Sequence, residues 1–490
     1  MQILIIPILL PIAFIILLLI SRNVKVSRFL GVLSAATQLV VAVHLFIQVM
    51  KYGVQTLFVG GWEAPFGITL VADTTSAVML LVTAFIAFSI AIYSLSMVSN
   101  NMVSSKFYVF FNSLLMGVNG ALLTGDVFNL YVWFEVMLMS SFVLITLGNS
   151  KEQLEGGIKY MAMNLIGSLL FLIGLGLLYG KTGTLNMAHL ATILQNDTNS
   201  LLMNTSAVLF FIAFGIKAAV FPLFFWLPAS YHTANISITS LFAGLLTKVG
   251  VYVLFRFFTL LFVQDQSFWH QLLIIIAGAT MLFGGMAASV YYDSRRILSY
   301  HIISQIGYML LGLGIFTPLA IAGALYFTVH NMIAKTNTFV IAGLIAKKTG
   351  TFDLKASGGL LKSSPLLGIL FIIPALALAG VPPISGFFAK LFLVKGGFEA
   401  GHYIITSIAV FTGLLTLYSM VKIWFEAFLK PASSEARISR FSFVQLLPTI
   451  LLGLASVALG IFASQGYDVA MRAAGELLSP EAYINAVLNK

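Results

Sequence analysis

Five ionisable residues stand inside otherwise apolar stretches of this sequence. They are Glu135 in LYVWFEVMLMSS, Lys217 in FGIKAAVFPLFFWLPASYH, Lys248 in LFAGLLTKVGVYVLF, Lys335 in VHNMIAKTNTFV and Lys390 in GVPPISGFFAKLFLVKG. An ion in hydrocarbon costs about 3 kcal/mol on insertion scales, so each of these groups must face the protein interior or water. Glu135 can offset one lysine as a pair, but the lysines outnumber the carboxylates at this depth. Desolvation and like-charge repulsion both disfavour an ammonium there. A surplus lysine is therefore suited to give up and regain a proton, and the set reads as a proton relay. Structural ion pairs between packed helices are the plain alternative. They account for one buried lysine better than for four.

Prolines accompany two of the lysines. Pro222 and Pro228 follow Lys217, while Pro374, Pro382 and Pro383 precede Lys390. Proline has no N–H and leaves the carbonyl four residues back without its helical partner. Pro222 is thus expected to free Ala218, Pro228 to free Phe224, and Pro382 and Pro383 to free Leu378 and Ala379. Freed carbonyls at membrane depth need water or protein donors. Each break is expected to form a hydrated spot, with Gly380 and Gly386 loosening the second; a simple kink is the alternative. Among the histidines, His232 follows the first break and could load protons, because imidazole titrates near neutral pH. An ordinary loop histidine is the competing reading. His330 lies five residues before Lys335 and is expected near the same face, and His301 starts a further apolar run. None of the three has metal-ligand spacing, and no phosphate loop or nucleophile–base pair is present. No metal site and no cofactor are expected. With Glu135 the one carboxylate deep in a span, a high-affinity Na⁺ site is disfavoured.

The elements that must carry these groups follow from composition. The chain has 490 residues, 60% hydrophobic and 9% charged, against about 25% charged in soluble proteins. An all-α polytopic membrane protein is implied, because the apolar runs are continuous over about 20 residues. About fourteen spans are predicted, near 2–20, 29–49, 71–96, 107–124, 127–148, 157–179, 203–228, 236–260, 271–291, 297–316, 318–346, 365–395, 402–428 and 442–463. The absence of cysteine excludes disulfides and cysteine-held zinc or iron–sulfur clusters in this chain. Residues 1–20 lack a basic leader region and read as a retained first helix. Val54–Leu70 reads as a small external hairpin around Gly60–Gly61. The tail from residue 464 reads as one surface helix up to Pro480.

Basic residues concentrate in loops after odd-numbered spans, among them Arg22, Lys106, Arg295, Arg296, Arg437 and Arg440. Loops after even-numbered spans carry only Lys51, Lys181 and Lys395. Positive loops stay in the cytoplasm, so both termini are expected outside. Topology then explains the net charge of +10, and no nucleic-acid partner is needed.

Spans seven and twelve are both interrupted and lie five spans apart, hence in opposite orientation. That points to an inverted repeat pairing spans 4–8 with spans 9–13. The organisation expected is an N-terminal unit with the hairpin over 1–100, five-helix repeats over 101–262 and 265–430, and a C-terminal helix and tail over 431–490.

LYVWFE, FGIKAAVFPLFFWLPASYHTA, LTKVGVYVLFR, YYDSRRILSYHIISQIGYML, HNMIAKTNTF and LALAGVPPISGFFAKLFLVKG carry a resemblance over about residues 70–430. The chain is similar to the antiporter-like subunits of respiratory complex I and their relatives, and most to those of the Mrp-type multisubunit Na⁺/H⁺ antiporters. The resemblance implies two inverted repeats with broken helices seven and twelve, and a hydrated polar axis at the membrane midplane. It implies an essential Glu135–Lys217 pair, a central relay lysine at Lys248, a second-repeat lysine at Lys335, a terminal lysine at Lys390 and an accessory histidine at His232. It also implies other membrane subunits as partners in the plasma membrane, with protons and Na⁺ or another monovalent cation as the transported ions. Pumping within a redox complex, an NADH–quinone oxidoreductase or membrane-bound hydrogenase, is the second reading, and a structural scaffold the third. Two positions depart from the pattern. Asn331 stands where a histidine is common, so the link between Lys248 and Lys335 rests on His330 or water. Asn235 replaces a usual proline.

Overall fold

A computed structural model describes residues 2–195, 201–431 and 441–488. In lipid each backbone polar group must be satisfied within its own segment, so apolar runs become helices. Among the described residues, eleven helices are long and apolar enough to cross a membrane, and the chain is a multi-pass membrane protein. In chain order the main helices are α1 (Ile6–Ile20), α2 (Val24–Tyr52), α3 (Thr74–Met97), α4 (Phe107–Leu123), α5 (Val127–Thr146) and α6 (Lys151–Thr182). Next come α7 (Leu201–Ala218), α8 (Trp226–Tyr231), α9 (Ile236–Leu260), α10 (Gln266–Val290), α11 (Ser294–Ile315) and α12 (Pro318–Thr349). The last are α13 (Pro365–Ala379), α14 (Ser385–Glu399), α15 (Tyr403–Trp424), α16 (Phe443–Ile461), α17 (Ala463–Leu478) and α18 (Glu481–Leu488).

Three of the expected spans differ from the eleven for visible reasons. α4 is short, α12 is 32 residues long but carries His330, Lys335, Lys347 and Lys348, and the run 365–395 is split into α13 and α14. Expected spans seven and twelve are thus both broken. Arg437 and Arg440, expected in a cytoplasmic loop, lie outside the described residues.

The centre of the molecule is made by α9, α11 and α12. α9 is buried along its whole length, and nearly all of α11 is buried. α1 and α2 bury only one face. Lipid supplies no hydrophobic drive between helices, so close approach depends on small residues. A Cβ at Gly284 of α10 would lie 2.4 Å from the Ser304 backbone nitrogen of α11, and one at Gly307 would lie 2.6 Å from the Ala277 carbonyl oxygen.

The helix ends explain where many cations go. Lys422 donates to the carbonyls of Ser289 and Tyr291 at 2.7 Å, closing α10. Lys106 closes α1 through Leu18, Leu19 and Ser21 at 3.1–3.2 Å. Arg28 closes α3 through Ser94, Leu95 and Val98. Each cation satisfies orphan carbonyls and meets the negative end of the helix dipole.

The segment expected as a hairpin forms one. β1 (Gln55–Phe58) pairs antiparallel with β2 (Thr69–Ala72), from Gln55 against Ala72 to Phe58 against Thr69. The tail departs from the expectation of one surface helix. It forms α17 and α18, and α17 lays its apolar side on α12, α3 and α9. Its polar side closes two other helices. Glu476 accepts from the N–H and hydroxyl of Thr74 at 2.8 and 2.6 Å, at the start of α3. Arg472 donates to Met50 and Val49 carbonyls at the end of α2. Orphan N–H and carbonyl groups of earlier helices therefore hold the tail inward. Beside them Asp73 caps α3 and pairs with the buried Arg256 of α9, whose guanidinium sits 4.9 Å from the Tyr483 ring.

Two outcomes follow from this packing. Gly284→Val should cost about 1–3 kcal/mol or more by overpacking the α10–α11 contact, seen as a lower unfolding temperature in detergent; an unchanged temperature would show that the contact yields freely. Arg256→Met should cost about 3–5 kcal/mol by leaving Asp73 buried and unpaired, read by the same thermal scan and contradicted by parental stability.

Candidate functional site

α7 ends where the chain turns at Ala219, which adopts the left-handed conformation at φ 61°. The N–H groups of Ala219 and Val220 bond back to the Ile216 and Gly215 carbonyls at 3.0 Å. The Trp226 indole N–H adds a bond to Ile216 at 2.9 Å. Pro222 lies in this break. Pro228 does not break a helix: it sits in the first turn of α8, where its missing N–H has no helical partner in any case. The Phe224 carbonyl, expected to be freed, accepts from Leu227 N–H at 3.0 Å.

Lys217 occupies the last turn of α7 and is 6% exposed. Its ammonium donates to Ser168 Oγ at 3.1 Å and stands 4.7 Å from the Phe134 ring centre. A cavity of about 20 Å³, lined by Tyr160, Asn164, Trp226 and Leu246 among others, adjoins it; that is space for one water. The expected direct pair with Glu135 is not formed. Ser168 and the face of Phe134 take the ammonium. The Glu135 carboxylate makes no hydrogen bond or ion pair among the described residues, and its Oε1 is buried without a partner.

From Lys217 the ionisable groups continue across adjoining helices. Gly250 lets α9 press on the Lys217–Ala218 backbone, since a Cβ there would lie 2.7 Å from Ala218 N. Two residues away, Lys248 is fully buried and donates to the Ala243 carbonyl at 2.6 Å. Gly244, one turn back, admits Thr336 of α12, whose hydroxyl would be 2.4 Å from an added Cβ. Beside Thr336 is Lys335, fully buried, its Nζ without a partner. Both side-chain polar atoms of Asn331 and the Thr247 hydroxyl are likewise buried and unpartnered. Buried polar groups in native proteins are met by protein or by water, so this region calls for hydration.

His330 does not share the face of Lys335. Five residues at about 100° each place the two about 140° apart, whereas Asn331 is only about 40° from Lys335. His330 turns instead to α14, where its Nδ1 meets Ser385 Oγ at 2.8 Å. His301 of α11 is buried, with neither ring nitrogen partnered.

The second break behaves as expected in where it frees carbonyls, and differently in what meets them. Pro382 and Pro383 lie between α13 and α14. The carbonyls of Leu378 and Ala379 accept from the ammonium of Lys390, both at 2.9 Å. Lys390 thus closes α13 as Lys422 closes α10.

His232 stands apart from this row, at the end of α8. It lines a polar cleft of about 370 Å³ with Glu152, Glu155, Lys159, Arg296 and Tyr300. Its Nδ1 is 2.7 Å from the Pro228 carbonyl oxygen and its Nε2 is 3.4 Å from Arg296. Partial burial, then the charges of Arg296 and Arg295, hold its pKa below the ordinary 6.5. Between cleft and Lys217 runs a stripe of α6 at four-residue spacing: Gly156 in the cleft, Tyr160 and Asn164 in the small cavity, and Ser168 on the ammonium. The stripe, the Asp73–Arg256 pair and Ser385 were absent from the residues singled out by sequence. The stripe's i, i+4 repeat of small and polar residues was its one legible signal.

Known proteins are similar to this chain in sequence and in fold. Residues 124–416 match the family described as NADH:quinone oxidoreductase/Mrp antiporter, TM. The chain is 43% identical to the D subunit of the Na(+)/H(+) antiporter of Alkalihalophilus pseudofirmus, over 99% of each chain. It is 40% identical to the protein of the same name in Bacillus subtilis, again over 99% of each. In structure it is similar to a chain of the Mrp complex from Dietzia sp., with TM-score 0.91, 30% identity and 99% of each chain covered. It is also similar to a chain of an archaeal membrane-bound sulfane sulfur reductase, with TM-score 0.92, 27% identity and 100% of each chain covered. Full-length similarity of this kind, together with the row of lysines beside two broken helices, makes the chain a member of the NADH:quinone oxidoreductase/Mrp antiporter membrane family.

Proposed function

We propose that this chain is the proton-conducting membrane subunit of a multisubunit Na⁺/H⁺ antiporter. The observation that carries the reading is the row itself. Its inner members, Lys217, Lys248 and Lys335, are buried, while Glu135 and Lys390 at its two ends are partly exposed. The row therefore runs through the centre of the chain from one flank to the other. Protons are taken up at the His232 cleft, follow the Tyr160–Asn164–Ser168 stripe to Lys217, pass Lys248 and Lys335, and leave past Lys390. Glu135 acts on Lys217 by its charge, across the Phe134 ring that the ammonium faces. The flanks at Glu135 and Lys390 suit contact with other membrane subunits. Helices α4–α9 and α10–α15 form the two inverted repeats, each with one broken member. The protein resides in the plasma membrane with its basic loops in the cytoplasm and both termini outside. A proton-pumping role in a redox complex rests on the same row. The relatives at 40–43% identity carry the antiporter name, which favours the first reading.

Lys217→Ala should lower Na⁺-driven proton movement in vesicles by at least about 100-fold, the scale of a lost proton-transfer group. The partner subunits should still copurify with it. An assembled variant that exchanges ions at the parental rate would end the relay reading. For His232 the sign is set by a folded-state pKa below 6.5. The unfolded chain binds the proton more readily, so this group's contribution is full above pH 6.5 and is lost as the pH falls below it. His232→Gln should accordingly lose less thermal stability than the parent between pH 7 and 5.5. Parallel losses in the two proteins would count against a neutral, cleft-bound imidazole.

A further inference from the structure

His330 has two differently placed ring nitrogens. Nδ1 is held by Ser385 Oγ at 2.8 Å, and Ser385 is held in turn by Ser456 Oγ of α16 at 3.0 Å. Both serines and the histidine are buried. Nε2 is buried with no partner. The ring fits against the second break because residue 386 is glycine: a Cβ there would lie 2.9 Å from His330 Cε1 and 1.7 Å from the Ala377 carbonyl oxygen. Lys390 of α14 lies at the same turn, since a Cβ at Gly380 would be 2.8 Å from its Cδ; the Tyr308 ring of α11 stands beside that ammonium, its centre 5.6 Å from it, and Lys335 follows the histidine on its own helix.

We propose that Ser385 and Ser456 are positioning residues of the relay, a hydroxyl pair that fixes His330 with Nδ1–H toward Ser385 and leaves Nε2 as the basic site between Lys335 and Lys390. This assignment rests on the relay reading and adds the last membrane helix to it. Lys335 and His330 are about 7.5 Å apart along α12 and about 140° around it, so water carries the proton between them. The Lys335 ammonium loses a proton, Nε2 gains it to give an imidazolium, and the imidazolium releases it toward a neutral Lys390. Throughout, Nδ1–H stays on Ser385 and the Ser385 hydroxyl donates to Ser456. A tautomer set by the hydrogen bond on the other nitrogen is the usual way a histidine is tuned. Asn331, about 40° from Lys335 around α12, keeps that face polar without binding a proton.

The test is the intact complex in vesicles, with antiport followed from pH 6 to 9. Ser385→Ala should slow antiport about tenfold, as loss of an orienting outer partner does elsewhere, and should displace the pH profile. Ser385→Thr, which keeps the hydroxyl, should restore both. Ser456→Ala should move the profile in the same direction by less. An assembled Ser385→Ala complex with the parental rate and profile overturns the proposal. If that variant does not assemble, Ser456→Ala decides, and an unchanged profile overturns it. Lys217→Ala measured alongside separates the readings: if it is inactive while Ser385→Ala is normal, the relay stands and the serine pair falls. If Lys217→Ala is active, the relay itself falls.

Discussion

Backbone carbonyls at helix ends have to be met inside a membrane, and in this protein cations meet them. Lys106, Arg28, Lys422 and Arg472 each close the C-terminal end of a neighbouring helix. Lys390 does the same at an interruption within an expected span, for the two carbonyls left over by Pro382 and Pro383. The packing of the second half follows from that contact, because α13 and α14 can stop and restart there only if those carbonyls are satisfied. A lysine that leaves the site exposes two acceptors, and a lysine that returns covers them. The lysine that stands in the row is therefore also the one that closes the helix.

The first half solves the same problem without its lysine. Ala219, Val220 and the Trp226 indole meet the carbonyls of Gly215 and Ile216, which leaves Lys217 free to turn toward Ser168. The two breaks are thus alike in sequence and unlike in chemistry. One lysine is a cap, and the other projects toward Ser168 beside a small cavity.

Close packing fixes the rest. Gly244 and Gly250 set α9 against α12 and α7 with no room for a methyl group, so Lys248 and Lys335 are held on adjoining central helices and not in lipid. Their neighbours Asn331, Thr247 and His301 keep polar atoms that no protein group meets. The outer ends are tied down by Glu476, Arg472 and the Asp73–Arg256 pair. A closely packed frame thus surrounds a centre whose buried polar atoms meet no partner among the described residues.

The sequence by itself determined the membrane class, the helices and their approximate ends, the identity of the five ionisable groups, and the carbonyls that Pro382 and Pro383 release. These are properties of composition and of single residues: apolar run length, a missing N–H, a charge at depth. Tertiary structure decided which groups meet. It put Ser168 and Phe134, not Glu135, on Lys217. It turned His330 by about 140° from Lys335 and onto Ser385, gave the freed carbonyls to Lys390, made Pro228 the start of a helix, and drew the tail inward onto α3 and α12. Contacts of this kind depend on rotation about each helix axis and on residues more than fifty positions apart in several cases, such as His330 with Ser385 or Glu476 with Thr74. Spacing along one chain segment carries no record of either until the helices are packed.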